Sequence, residues 1–195
     1  MTDYDAQIRR VLLPHLRARA RWVCEEFHCD GRVDVATLEE DTLCGYEIKA
    51  ARDSLDRLFS PRLGPMSQAR AYSRCLERVT VVAAPVHVAP LLERMPAWWG
   101  LLAVEGAALR VVREGQTNPK DVTHRLAWMM WAPEVRALLK VHGLAQGARA
   151  RHELHARMMR LPRTVIRAAV FDALVHREWG PQRTRKPTVT LPEPA

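Results

Sequence analysis

Three charged residues at strand-like spacing, Asp34, Glu47 and Lys49, are the part of this sequence best suited to chemistry. Asp34 lies in Arg32-Val33-Asp34-Val35-Ala36-Thr37-Leu38, and the other two in Cys44-Gly45-Tyr46-Glu47-Ile48-Lys49. Both segments alternate apolar and polar residues, and the polar Glu39-Glu40-Asp41-Thr42 separates them, which predicts an antiparallel hairpin. For Val33 and Val35 to share a face with Tyr46 and Ile48, the turn must centre between Glu40 and Asp41. That register sets Val33 opposite Ile48, Val35 opposite Tyr46, and Asp34 directly opposite Glu47. Carboxylates whose Cβ atoms are about 4.5–5.5 Å apart across two strands repel each other unless a cation lies between them. Mg²⁺ suits such a place, because one or two carboxylates hold it while waters and phosphate oxygens complete its shell. Lys49, two residues beyond Glu47, shares that face and can orient a water or stabilise charge developing on a phosphate. The same residues also fit solvent-facing charges on a half-exposed hairpin, and spacing alone does not separate the two readings.

The neighbouring segments supply the frame. Asp5 to Arg21 carries Ile8, Val11, Leu12 and Leu16 at helical spacing, with Pro14 expected to kink or divide the helix. Arg21 to Cys29 reads as a first strand. Asp53 to Leu76 reads as helical at both ends, interrupted by the loop Ser60-Pro61-Arg62-Leu63-Gly64-Pro65. Arg78 to Ala84 is an apolar, β-branched run and predicts a buried strand. A short helix is expected after Pro90, then strands over Trp99–Val104 and Leu109–Arg113 joined through Glu105-Gly106. From Asn118 the pattern is helical. Asn118-Pro119, Pro133 and Pro162 mark starts, Gly143 and Gly180 mark ends, and three or four helices are expected between Pro119 and Trp179. The expected class is α/β: a mixed sheet flanked by helices over 1–115, a helical C-terminal subdomain over 116–180, and a Pro-rich, disordered tail over 181–195.

The charge balance points to a partner class. Lys and Arg number 30 against 22 acids, a net charge of +8, and most of the cations are arginine. Arginine forks onto phosphates, and releasing counterions from a nucleic acid favours binding, so DNA is the expected partner; an Arg-rich proteome gives the same balance. The apolar content of 48% excludes wholesale disorder. The run Val79 to Ala84 is too short to cross a bilayer, the first residues do not form a signal peptide, and no membrane role is expected. A cytoplasmic location follows, in which Cys24, Cys29, Cys44 and Cys75 are expected as free thiols rather than a zinc site, since no C-x-x-C pair exists. Trp98-Trp99 is expected to be buried at a strand entrance rather than to stack bases, and Trp128-Met129-Met130-Trp131 to form a helix-packing surface rather than a ligand site. His152 and His155 are expected on a solvated basic helix whose Arg149, Arg151, Arg157 and Arg160 form the first candidate for a phosphate-contacting face.

Asp34 followed by Glu47-Ile48-Lys49 resembles the D…E-x-K signature of the PD-(D/E)XK nuclease superfamily, and the order helix, three strands, helix, strand is similar to its common core. Gly45-Tyr46-Glu47-Ile48-Lys49, Asp53-Ser54-Leu55-Asp56-Arg57-Leu58, Gln68 with Tyr72, Arg78-Val79-Thr80-Val81-Val82 and Trp98-Trp99-Gly100 together resemble a family of small bacterial and mobile-element proteins within it. The resemblance implies a restriction-endonuclease-like core in which Asp34 and Glu47 bind Mg²⁺ or Mn²⁺ and Lys49 assists the attacking water. Gln68-x-x-x-Tyr72 is similar to an element of RecB-type nucleases that supports the site and contacts DNA. Val33 replaces the proline of the motif. An upstream acid joins the metal site in some relatives, and Glu25 and Glu26 are the candidates. The expected activity is metal-dependent hydrolysis of DNA. The alternative is an inactive nuclease-fold module that binds DNA or a protein partner within a larger defence or repair complex. No motif specifies strandedness, endo- or exonucleolytic action, or oligomeric state.

Overall fold

The computed structural model describes residues 4–60, 67–147 and 150–177, so Arg149, Gly180, the tail from 181 and most of the Ser60–Pro65 loop lie outside the described residues. The chain divides into two compact units, 1–122 and 123–195. The boundary falls later than the expected 115/116, because residues 116–118 are tied to the first unit. Gln116 N–H donates to the Trp98 carbonyl and Asn118 N–H to that of Glu77. The Asn118 amide nitrogen also donates to the carbonyls of Ser73 and Leu76, at 2.9 Å each. Asn118 is therefore an anchor and not the expected helix cap; its Oδ1 accepts the Lys120 amide, and the next helix begins only at Thr123.

The first unit is an α/β layer structure. Helix α1 (Tyr4–Arg17) precedes three antiparallel strands, β1 (Trp22–His28), β2 (Arg32–Glu39) and β3 (Thr42–Lys49). Short helices α2 (Asp56–Phe59) and α3 (Gln68–Cys75) cross over to β4 (Arg78–Ala83), as a parallel neighbour requires. Helix α4 (Val88–Arg94), which begins before Pro90 rather than after it, crosses to β5 (Gly100–Glu105), and a hairpin returns as β6 (Ala108–Arg113). The result is one six-stranded mixed sheet in the order β1-β2-β3-β4-β5-β6. Ile8, Leu12 and Leu16, four apart along α1, pack on Val35, Tyr46 and Ile48. Pro14 neither divides nor ends this helix, which runs on to Arg17.

Helix α3 covers the opposite face, and Gly45 is the reason it can approach. A Cβ there would overlap Leu76 Cδ1 and touch Val33 Cγ2 at 3.4 Å. This contact also corrects one expectation. Val33 does not share the Val35 face; it lies with Gly45 and Leu76 on the α3 side. The cause is a break in the pairing. The β1–β2 ladder pairs Glu25 with Val35 and Phe27 with Val33 but skips Glu26 and Asp34. Glu26 has a left-handed φ of 54°. Both strands change face at this step, which brings Phe27 beside Trp22, five residues away, with ring centroids 5.5 Å apart.

In the second unit, α5 (Thr123–Trp128), α6 (Ala132–Val141), α7 (Arg151–Met158) and α8 (Arg163–His176) enclose Leu126, Val135, Leu139, Leu154, Met158, Ile166, Val170 and Leu174. Pro133 lies in the first turn of α6, and Gly143 follows it with φ 70°. A buried ion pair between Arg177 and Glu134, at 2.5 Å, closes the unit over Trp131. His155 is not solvated as expected. It is 2% exposed, stacked on Trp128 at 4.0 Å, and burial pushes its pKa down to about 4, with Arg151 and His124 adding to the effect. Trp99 is fully buried, as expected, and Trp98 half-buried, whereas Trp131 is 39% exposed. Among the described residues, no helix is long and apolar enough to cross a membrane.

Filling the Gly45 contact tests the packing of α3. Gly45→Ala is expected to lower stability by about 1–3 kcal/mol, because the fully buried Leu76 side chain must shift to admit the methyl group. Urea unfolding of the variant against the wild type measures the loss.

Candidate active site

The register of β2 and β3 is the expected one, with Val35 opposite Tyr46 and Glu39 opposite Thr42, but the ladder stops at Val35. Asp34 and Glu47 are therefore not a ladder pair. The Asp34 side chain takes over the missing strand contact: its Oδ2 accepts the Ile48 amide at 2.6 Å. A side-chain acceptor thus satisfies a backbone donor that the broken ladder would otherwise leave unpaired. This bond fixes the carboxylate instead of leaving it free on the sheet surface.

Glu47 is 2% exposed on the central strand β3. Its two oxygens have separate partners. Lys49 Nζ donates to Oε1 at 2.7 Å, in a pair whose side chains are 10% and 2% exposed. The Tyr72 hydroxyl lies 2.7 Å from Oε2 and 2.6 Å from the Arg32 carbonyl, so its one proton is shared between two acceptors. Gln68 Nε2 donates to that hydroxyl at 3.0 Å. Burial and the Glu47 charge hold the Tyr72 phenol far above its ordinary range, so it stays protonated and acts as a donor. Asp34, Glu47, Lys49, Gln68 and Tyr72 thus converge, with the last two four apart on one face of α3.

The remaining candidates do not converge there. Glu25 and Glu26 on β1 point to Arg9 of α1, which reaches Glu25 Oε2 at 3.2 Å and Glu26 Oε1 at 2.8 Å. The same guanidinium donates to the Asp34 carbonyl at 3.3 Å and lies 3.6 Å from Asp34 Oδ1. Arg151 belongs to the second unit, where its guanidinium lies over Trp128 and donates to that residue's carbonyl at 3.0 Å. Arg9 escaped the sequence reading. The only available signal was its place beside Ile8, at the edge of the buried stripe of α1.

The charges are unevenly compensated. Burial and the field of Glu47 raise the Asp34 carboxyl from 3.8 to about 7, while the Ile48 amide, Lys49 and Arg9 pull the other way and do not win. A divalent cation against Asp34 would relieve that repulsion. Gln68 Oε1 is buried with no hydrogen-bond partner among the described residues, while its amide nitrogen sits on the Tyr72 hydroxyl that holds Glu47. Among the described residues, no three His, Cys, Asp or Glu side chains are grouped to hold a metal. Carboxylate oxygens are the donor type that a hard ion such as Mg²⁺ or Mn²⁺ takes, with waters completing its shell.

A model of the bacteriophage P4 protein cII family matches residues 3–183. The chain belongs to that family. The match spans both compact units. None of the curated proteins matches it. Among solved structures, a protein of unknown function from Silicibacter pomeroyi aligns with a TM-score of 0.47 at 21% identity, over 77% of this chain and 98% of that one.

Asp34 should titrate near neutrality. Its folded pKa is above the unfolded one, so its contribution to stability is full below pH 4 and is lost as pH rises through 7. Carboxyl ¹³C NMR is expected to show a midpoint near 7 that falls in Glu47→Gln, and urea midpoints of the wild type should decline over that window relative to Asp34→Asn.

Proposed function

We propose that this protein is a metal-dependent nuclease of the PD-(D/E)XK type that hydrolyses DNA phosphodiester bonds. The observation that carries the reading is the convergence of Asp34, Glu47 and Lys49, with Tyr72 and Gln68 holding Glu47 from the opposite helix. The order of α1, three antiparallel strands, a crossover helix and a parallel β4 supports a restriction-endonuclease-like core.

Asp34 and Glu47 would hold Mg²⁺ or Mn²⁺, with Gln68 supporting Glu47 through the Tyr72 hydroxyl. When bound, the ion supplies Lewis-acid polarisation of a phosphate oxygen and a water acidified for attack. The chain's own residues do the rest. Lys49, held by Glu47 and nearly buried, presents a fixed ammonium to charge that develops on the phosphate, where low exposure makes it count for more than it would in water. The Tyr72 proton and the Ile48 amide hold the two carboxylates in place, so little reorganisation is needed when substrate arrives.

The distribution of charge supports DNA as the substrate and the helical unit as the part that holds it. Residues 1–122 carry 17 basic and 17 acidic side chains, and residues 123–195 carry 13 and 5, so the whole excess of +8 lies in the second unit. Its described acids are engaged: Glu134 with Arg177, Glu153 at the Ala150 amide, and Asp172 with His176. The exposed face of α6 presents Arg136 and Lys140 four residues apart. This same observation favours a second reading, a DNA-binding module without catalysis, in which the helical unit does the work alone.

Purified protein is expected to cleave some DNA only with Mg²⁺ or Mn²⁺, and Lys49→Ala to abolish cleavage; undiminished cutting by that variant would remove the site. The charge reading is tested separately. Arg136→Glu with Lys140→Glu should weaken DNA binding and reduce the slope of log K against log salt by about two, measured by fluorescence anisotropy. DNA binding that survives Asp34→Ala and Glu47→Ala, with no cleavage on any substrate, would favour the second reading.

A further inference from the structure

Arg9 has more partners than a helix-surface arginine should. Its Nε donates to Asp5 Oδ2 at 2.7 Å, and its two terminal nitrogens reach Glu25, Glu26 and Asp34, including the Asp34 main-chain carbonyl. The Arg9 side chain is 16% exposed; Asp5, Glu25 and Glu26 are 41–45% exposed, so solvent screens those pairs, and Asp34, at 24%, is the least screened of its acidic partners. Glu25 and Glu26 have other partners of their own: Arg17 lies 3.6 Å from Glu25, and Arg32 lies 3.0 Å from Glu26. The Asp34 carbonyl has the Arg9 contact.

The residues that Arg9 joins are those at which the sheet breaks. Glu26 and Asp34 are the two positions that the β1–β2 ladder skips, and Glu26 has a left-handed backbone that a non-glycine residue adopts at a cost. Something must hold that conformation, because the ladder does not. A planar guanidinium with five N–H groups can grip carboxylates on β1 and a backbone oxygen on β2 together; an ammonium, with its donors on one nitrogen, cannot span them in the same way.

We propose that Arg9 is the positioning residue of this site: from α1 it clamps the break at Glu26 and Asp34, and so directs the Asp34 carboxylate toward the Ile48 amide and Glu47. The relevance of this role to catalysis rests on the nuclease reading above. The clamp itself does not, and it can be read without metal, substrate or cleavage.

The Ile48 amide is the reporter, because Asp34 Oδ2 is its acceptor. Hydrogen exchange by NMR on the full-length, metal-free chain is the measurement, with Val81 of β4 as a core reference. Arg9→Gln is expected to accelerate Ile48 exchange about tenfold beyond any change at Val81. Arg9→Lys, which keeps the charge but not the fork, should give a smaller acceleration and serves if the glutamine variant does not fold. In an Asp34→Ala background, where the acceptor is gone, Arg9→Lys should add nothing at Ile48. Ile48 exchange that follows Val81 in both variants, or an Arg9 effect of equal size without the Asp34 carboxylate, would overturn the proposal. Absence of cleavage by the wild-type chain bears on the nuclease reading alone.

Discussion

Two carboxylates held close together with little water around them impose the constraint on which the first unit depends. Asp34 and Glu47 cannot both be charged there without compensation, and burial alone already penalises each charge. The surroundings share the load unequally. Glu47 has a lysine on one oxygen and a tyrosine hydroxyl on the other. Asp34 has a backbone amide and an arginine at longer range, and its carboxyl rises to about 7. Asp34 is therefore the less compensated of the two acids, and under the proposed function a bound divalent ion would supply the missing positive charge.

The rest of the unit makes that arrangement rigid. Glu47 and Lys49 sit on β3, which is paired on both sides, so neither backbone can move far. Gly45 has no side chain, α3 therefore lies close, and Tyr72 reaches Glu47 from it. On the other face α1 packs its stripe of Ile8, Leu12 and Leu16, and this contact delivers Arg9 to the ladder break. Core packing and site geometry are thus one structure: the apolar contacts that place the two helices also place the groups that hold the two acids.

The second unit has a different character. Its core is aliphatic, its main buried polar contact is the Arg177–Glu134 pair, and its described acids are taken up by internal contacts. Removing one partner of such a buried pair leaves the other charge uncompensated, so Glu134 is committed to structure and does not offset the basic surface. The first unit, by contrast, has equal numbers of acids and bases and spends several of each around Arg9. The family match runs through both units.

Local periodicity determined much of this protein. Period-2 alternation set the strands and the hairpin register, because slipping by one residue would expose Val35 and Tyr46. The stripe of α1, the proline and glycine boundaries of α6 and the shared face of Glu47 and Lys49 were legible for the same reason, since each depends on neighbours within a turn or a strand, whereas Gln68 and Tyr72 were singled out by the resemblance. The site's final geometry was not legible. Direct opposition of Asp34 and Glu47 was replaced by a bond to the Ile48 amide, Val33 moved to the other face, Asn118 became an anchor, and His155 became buried. Each of these depends on partners far away in the chain: Arg9 lies 25 residues from Asp34, Tyr72 lies 25 from Glu47, and Asn118 lies 42 from Leu76. Alternation records which side of a strand a residue prefers. It does not record where the strand breaks or which helix supplies the charge that holds the break, and those were decided only when the two helices packed on the sheet.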